Sequence, residues 1–160
     1  MERGILVKNI RTGMIPVLMC LCLISLDSAM AATQRSLVVV CSVESPLTSI
    51  SNTEVRKLFL GVPVIKGNTR LNPLRNVSDK DIEEVFLQKV IFMSKRDYER
   101  RLLSTVFRRG GERPVTYSDT GELIGQLKSS PDSLSYMWSD QIEQLEELRS
   151  IGVLWTDQTD

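Results

Sequence analysis

Two arginine pairs, Arg100-Arg101 and Arg108-Arg109, lie eight residues apart, with Arg113 close behind. Guanidinium groups at that spacing return to one side of a helix after two turns. Residues 95–113 hold seven basic side chains against three acidic ones, whereas residues 114–160 hold two against nine. Such opposed regions suit docking on an acidic partner surface or head-to-tail self-association, and an ordinary solvated helix face shows the same pattern. Other reactive chemistry is mostly excluded. The chain has no histidine, which removes Ser-His-Asp and Cys-His sites and histidine-based metal centres. Glu83-Glu84 and Glu146-Glu147 fall on the outward faces of predicted helices, away from the cleft an acid/base pair needs to shift its pKa values. No glycine pattern cradles a nucleotide. Neither catalysis, a cofactor nor a metal is expected, and the balanced total charge argues against a nucleic-acid binder.

The elements that would position these arginines alternate between strand and helix. Residues 36–42 form an apolar, β-branched run, the pattern of a buried strand, with Cys41 as a core thiol. Ser51 or Asn52 caps a short helix with Val55, Leu58 and Phe59 on one face, ended by Gly61. Residues 62–65 and 70–74 flank a Lys66-Gly67-Asn68 turn. Ser78 is the expected N-cap of the next helix, whose apolar stripe is Ile82, Val85, Phe86, Val90 and Met93. Ser94 starts the arginine-bearing helix, with Tyr98, Leu102 and Val106 inward, and Gly110-Gly111 stops it. A strand at 115–117, a helix capped by Ser118, a strand at 134–138, a helix at 140–149 and a strand at 152–155 complete the chain. This order predicts one α/β domain with a mixed central sheet flanked by helices.

The first residues have the pattern of an export signal. Arg3, Lys8 and Arg11 precede an apolar run at 14–26, and Ala29 and Ala31 supply the small residues of a cleavage site after Ala31. The run is shorter than the roughly 18 residues that span a bilayer. Export to the periplasm is therefore expected, leaving residues 32–160 as one domain with Cys41 as its single thiol, stabilised by packing without a disulfide.

Three stretches carry a family resemblance. They are Ser45-Pro46-Leu47 followed by residues 50–61 ending Phe59-Leu60-Gly61, then Leu74-Arg75-Asn76-Val77-Ser78, and finally Ser130-Pro131-Asp132-Ser133-Leu134-Ser135-Tyr136-Met137. In order and spacing they resemble the phosphate-binding components of ABC transporters, with the type 2 periplasmic-binding-protein fold. The resemblance implies a non-enzymatic solute-binding module for phosphate or a similar oxyanion, partnered with a membrane transporter or sensor. It places the ligand at Ser45 and Thr48 in the first strand-to-helix loop and at Arg75, Asn76 and Ser78 at a helix start. Length restricts the chain to a single lobe, and Asp79 and Asp81 at that helix start would repel an anion. The alternative is a docking protein that keeps the fold without the ligand, using Arg100, Arg101, Arg108 and Arg109.

Overall fold

The computed structural model describes residues 35–157; the expected signal segment, 1–31, lies outside the described residues. Strand β1 (Ser36–Ser42) is an interior strand, next to the edge, of a five-stranded sheet of order β5-β4-β6-β1-β7. Its neighbours β6 (Ser133–Trp138) and β7 (Leu148–Thr156) both run antiparallel to it. On the far side of β6, β4 (Asn72–Asn76) and β5 (Val115–Tyr117) run parallel to each other, and β4 runs parallel to β6. A small hairpin, β2 (Ile65–Lys66) and β3 (Thr69–Arg70), stands apart.

Side chains alternate across a strand, so β1 feeds two cores. Leu37, Val39 and Cys41 join the larger core, and Val38 and Val40 the smaller one. This explains the unbroken apolar run: both faces are covered. The larger core is roofed by three helical segments. These are α1 (Asn52–Phe59), α2 (Lys80–Val85) with the π-turn that continues it (Phe86–Ile91), and α3 (Lys95–Arg109). The opposite face carries α4 (Thr120–Ser129) and α5 (Ser139–Ile142). At the centre of the larger core the Phe86 and Tyr136 rings stack at 3.7 Å, and Phe59 meets both edge-on. Each such pair adds roughly 0.5–1.5 kcal/mol beyond its buried area.

Several expectations are corrected. The helix expected at 140–149 is a single turn, α5, because Leu148 and Arg149 already pair with Ser42 and Cys41 in β7. Burial of Leu148 in the smaller core and of Ile151 and Leu154 in the larger one outweighs helix propensity in the Glu-rich segment. Pro63 lacks a donor for strand pairing, and the hairpin begins only at Ile65. Asp79, not Ser78, caps α2, and Asp119, not Ser118, caps α4. The π-turn shifts the helical phase, so Leu87 and Ile91 become buried while Val85 and Met93 sit at the core margin. Glu83 lies on an inward-facing side of α2, its side chain 13 % exposed.

Candidate functional site

Sheet register decides whether the five expected ligand residues meet. Cys41 pairs with Leu134 at the start of β6, and β4 begins beside that same point, with Asn72 opposite Ser133. Because β1 runs against β4, the loop after β1 and the loop after β4 leave opposite ends of the sheet. Ser42 and Val38 are four residues apart along β1, about 13 Å at 3.3 Å per residue. Asn76 sits at the Val39 end, where its Nδ2 donates to the Tyr136 carbonyl, and Tyr136 pairs with Val39. Ser45 lies beyond Ser42. The structure therefore does not bring the five together: Ser45 and Thr48 form one group, and Arg75, Asn76 and Ser78 another.

The second group is held in place by its own side chains. Arg75 on β4 is 5 % exposed. Its two terminal nitrogens donate to Glu99 Oε1 and Glu83 Oε1, each at 2.6 Å, and its guanidinium lies 4.7 Å over the Tyr98 ring. Lys95 reaches the second Glu83 oxygen at 3.0 Å, and Arg113 the second Glu99 oxygen at 2.7 Å. Five charges thus alternate in sign from Lys95 to Arg113. Burial pulls the Arg75 pKa down; the hydrogen bond to Glu99 and the fields of Tyr98, Tyr136 and Glu83 outweigh it, leaving the group above its ordinary value. Burial also raises Tyr98 to about 12, and its hydroxyl donates to the Phe59 carbonyl at 2.8 Å. Asn76 is buried, and its Oδ1 accepts from both the Ser78 hydroxyl (2.7 Å) and the Ser78 N–H (3.1 Å). The α2 start is spoken for as well, since Asp79 Oδ1 accepts from the Asp81 N–H at 2.9 Å.

At the other end, Ser45 to Ser49 and Lys66 to Thr69 line an open cavity of about 340 Å³. Ser45 is buried and its Oγ accepts from the Leu47 N–H, while Thr48 is exposed. Arg149 fastens the loop by donating to the Ser45 and Leu47 carbonyls, both at 2.8 Å. Lys66, the cation on this rim, pairs with Glu54 at 2.8 Å. That bond, with those from Ser51, pulls Glu54 down to about 2. Burial raises the nearby Cys41 thiol, which is inert in the core.

Helix α3 presents the opposite balance. Ser94 caps its start and Gly110, at φ 64°, ends it. All four expected arginines are exposed, and Arg100 pairs with Asp97 at 2.6 Å. Among the described residues no carboxylate lies within 4.0 Å of Arg101, Arg108 or Arg109. These three arginines, with Ser104, Thr105, Leu60 and Val62, line a cavity of about 110 Å³. Gly61, between Leu60 and Val62, packs directly against Gly111. Gly61 turns with φ 78°, and a Cβ on Gly111 would lie 1.9 Å from the Gly61 carbonyl oxygen. Ser104 and the cavity were missed from sequence, although Arg101, Ser104 and Arg108 at i, i+3 and i+7 already shared one face. Leu103 and Phe107 are exposed on a different side of α3, Phe107 at 84 %.

No protein-family model and no curated protein sequence matches the chain. Solved structures do. The fold aligns with an ABC-type phosphate transport receptor from Vibrio cholerae at a TM-score of 0.53 and 8 % identity, over 74 % of this chain and 46 % of that one. PstS from Borrelia burgdorferi aligns at 0.50 and 16 % identity, over 69 % and 43 %. The chain has the fold of part of a phosphate receptor. It spans less than half the length of either structure, as a single lobe does. Identities this low show fold and nothing finer. No described helix is long and apolar enough to cross a membrane, and no described cluster of side chains would hold a metal ion.

Proposed function

We propose that this chain is an exported, periplasmic, non-enzymatic binding module that engages its target through the basic face of α3 and not through the sheet-end group Arg75, Asn76 and Ser78. One contrast carries this reading. Arg75 is buried with both terminal nitrogens on carboxylates, whereas Arg101, Arg108 and Arg109 stand exposed with no carboxylate partner among the described residues. An anion reaching Arg75 would displace two carboxylates at 2.6 Å, a loss of charge-assisted hydrogen bonds that one ligand would have to match in full. An anion reaching α3 displaces water. The target in this reading is an acidic surface on a membrane transporter or sensor protein, to which exposed arginines steer and orient a partner.

A photo-crosslinking residue introduced at Arg100 in cells that produce the protein tests this. The expected result is one adduct with an integral membrane protein, abolished by joint reversal of Arg101, Arg108 and Arg109 to glutamate and unaffected by Ser78→Ala. An adduct that survives the reversal, or one lost with Ser78→Ala alone, would refute the α3 reading. A second reading, a solute held by Ser45 and Thr48, draws support from the 340 Å³ cavity beside them; its one basic residue is already paired with Glu54.

A further inference from the structure

Resting on that reading of α3, we propose that the cavity between α3 and the Leu60–Val62 turn is a binding site for a tetrahedral oxyanion of the phosphate class. Its charge comes from Arg101, Arg108 and Arg109 and its hydroxyl donor from Ser104. Size selects the ligand first. A volume of about 110 Å³ is several times the roughly 30 Å³ share of one liquid water. It is well below the ~300 Å³ at which pockets for organic solutes begin. A phosphate group with its residual hydration fits between those limits.

Charge selects it second. Three arginines without carboxylate partners among the described residues line one small volume. Arg108 and Arg109 also lie in the last turn of α3, where the helix dipole places only about half a negative charge. That half charge cannot neutralise three full ones, so an anion is attracted. Guanidinium planes bind phosphate oxygens in pairs, a geometry that carboxylates share but chloride does not. The hydroxyls divide the remaining work. Thr105 spends its proton on the Arg101 carbonyl at 3.0 Å, whereas Ser104 makes no hydrogen bond through its side chain among the described residues and is free to donate. Packing fixes the wall: the Gly61–Gly111 approach holds Leu60 and Val62 against the end of α3. The ligand is either free phosphate or the phosphate monoester of a lipid headgroup, and the two share this chemistry.

The test is an NMR titration of the full chain, as purified from the cells that make it, with inorganic phosphate at constant ionic strength and chloride as control. A parallel arm uses vesicles of neutral lipid with and without phosphatidic acid. Saturable amide shifts confined to residues 60–62 and 101–111 are expected. Arg101→Gln and Arg108→Gln should each weaken binding about tenfold, one charge-assisted hydrogen bond's worth, while Arg100→Gln leaves it unchanged. Binding only to the phosphatidic acid vesicles, with the same arginine dependence, supports the site and assigns its source to the headgroup. Linear, unsaturable shifts in both arms overturn the oxyanion site and leave the crosslinking result to judge the docking reading separately. Saturable shifts at 45–49 or 75–78 overturn both. Equal loss in all three arginine variants would reduce the effect to diffuse charge and also overturn the site.

Discussion

Replacing Arg75 separates a structural arginine from a ligand-binding one, and the size of the effect follows from its contacts. Removing one partner of a buried ion pair costs about 3–5 kcal/mol. Two features bring Arg75→Ala to the low end. Glu83 keeps Lys95 and Glu99 keeps Arg113, so neither carboxylate is left alone. The Arg75 Nε–H is buried without a partner, and deleting it recovers part of an existing penalty of roughly 1–3 kcal/mol. Loss of the guanidinium from the Tyr98 ring works the other way, by about 1–2 kcal/mol. The net expectation is a loss of about 3 kcal/mol, or about 12 °C in Tm at roughly 4 °C per kcal/mol for a domain of this size. Arg75→Met combined with Glu83→Gln and Glu99→Gln should recover at least half of it, since uncharged groups of similar volume need no counter-ion. Thermal unfolding followed by circular dichroism, with a phosphate titration of each variant, measures both properties. If Arg75→Ala melts within about 2 °C of the parent and abolishes phosphate binding, Arg75 is held for a ligand and the ion network is incidental.

Other parts of the fold make equally direct predictions. Gly111→Ala should cost about 2–3 kcal/mol by driving a Cβ into the Gly61 carbonyl. Gly125→Ala, inside α4 with open space around it, should raise stability by about 0.5–1 kcal/mol, both changes being measured by urea titration. The α1 start is acid-sensitive: Glu54 is depressed to about 2 by Lys66 and Ser51, so its contribution is complete above its ordinary value near 4.5 and is lost as pH falls through about 2. Glu54→Gln should flatten the stability profile across that window, and Ser51→Ala should cost about 1 kcal/mol at neutral pH by removing the cap. Tyr136→Phe should lose about 1–2 kcal/mol in thermal unfolding, because the buried Asn76 carbonyl then has no donor from the 2.9 Å Tyr136 hydroxyl.

Local chemistry was legible where it competes with nothing distant. The limits of β1, the Ser51 and Ser94 caps and the Gly110 stop follow from apolar runs, short polar side chains and a positive φ, all settled within a few residues. What failed was decided across the sheet. Residues 148–149 look helical beside Glu146 and Glu147 until β1 offers them a ladder more than a hundred residues earlier in the chain. Glu83 reads as outward on an ideal helix, yet it turns inward because Arg75, eight residues before it, needs a counter-charge. The five expected ligand residues were plausible as one group only if β1 and β4 pointed the same way. Their opposite sense comes from strand order in a mixed sheet, which carries no local sequence signal.

The ion network explains how one lobe can stand without a ligand. A buried guanidinium requires a counter-charge from some source. For Arg75, α2 and α3 deliver Glu83 and Glu99 to within 2.6 Å. The helix start beside it is closed as well, by Asp79 on the Asp81 N–H, and Ser78 is turned onto Asn76. An entering phosphate would lose against groups already covalently tethered in place, because their local concentration exceeds any free ligand's. Positive charge at this end of the sheet is thus consumed inside the fold. Unpaired arginines cluster instead around one cavity beside α3, at Arg101, Arg108 and Arg109, which makes the side of that helix better suited to attract an anion than the end of the sheet.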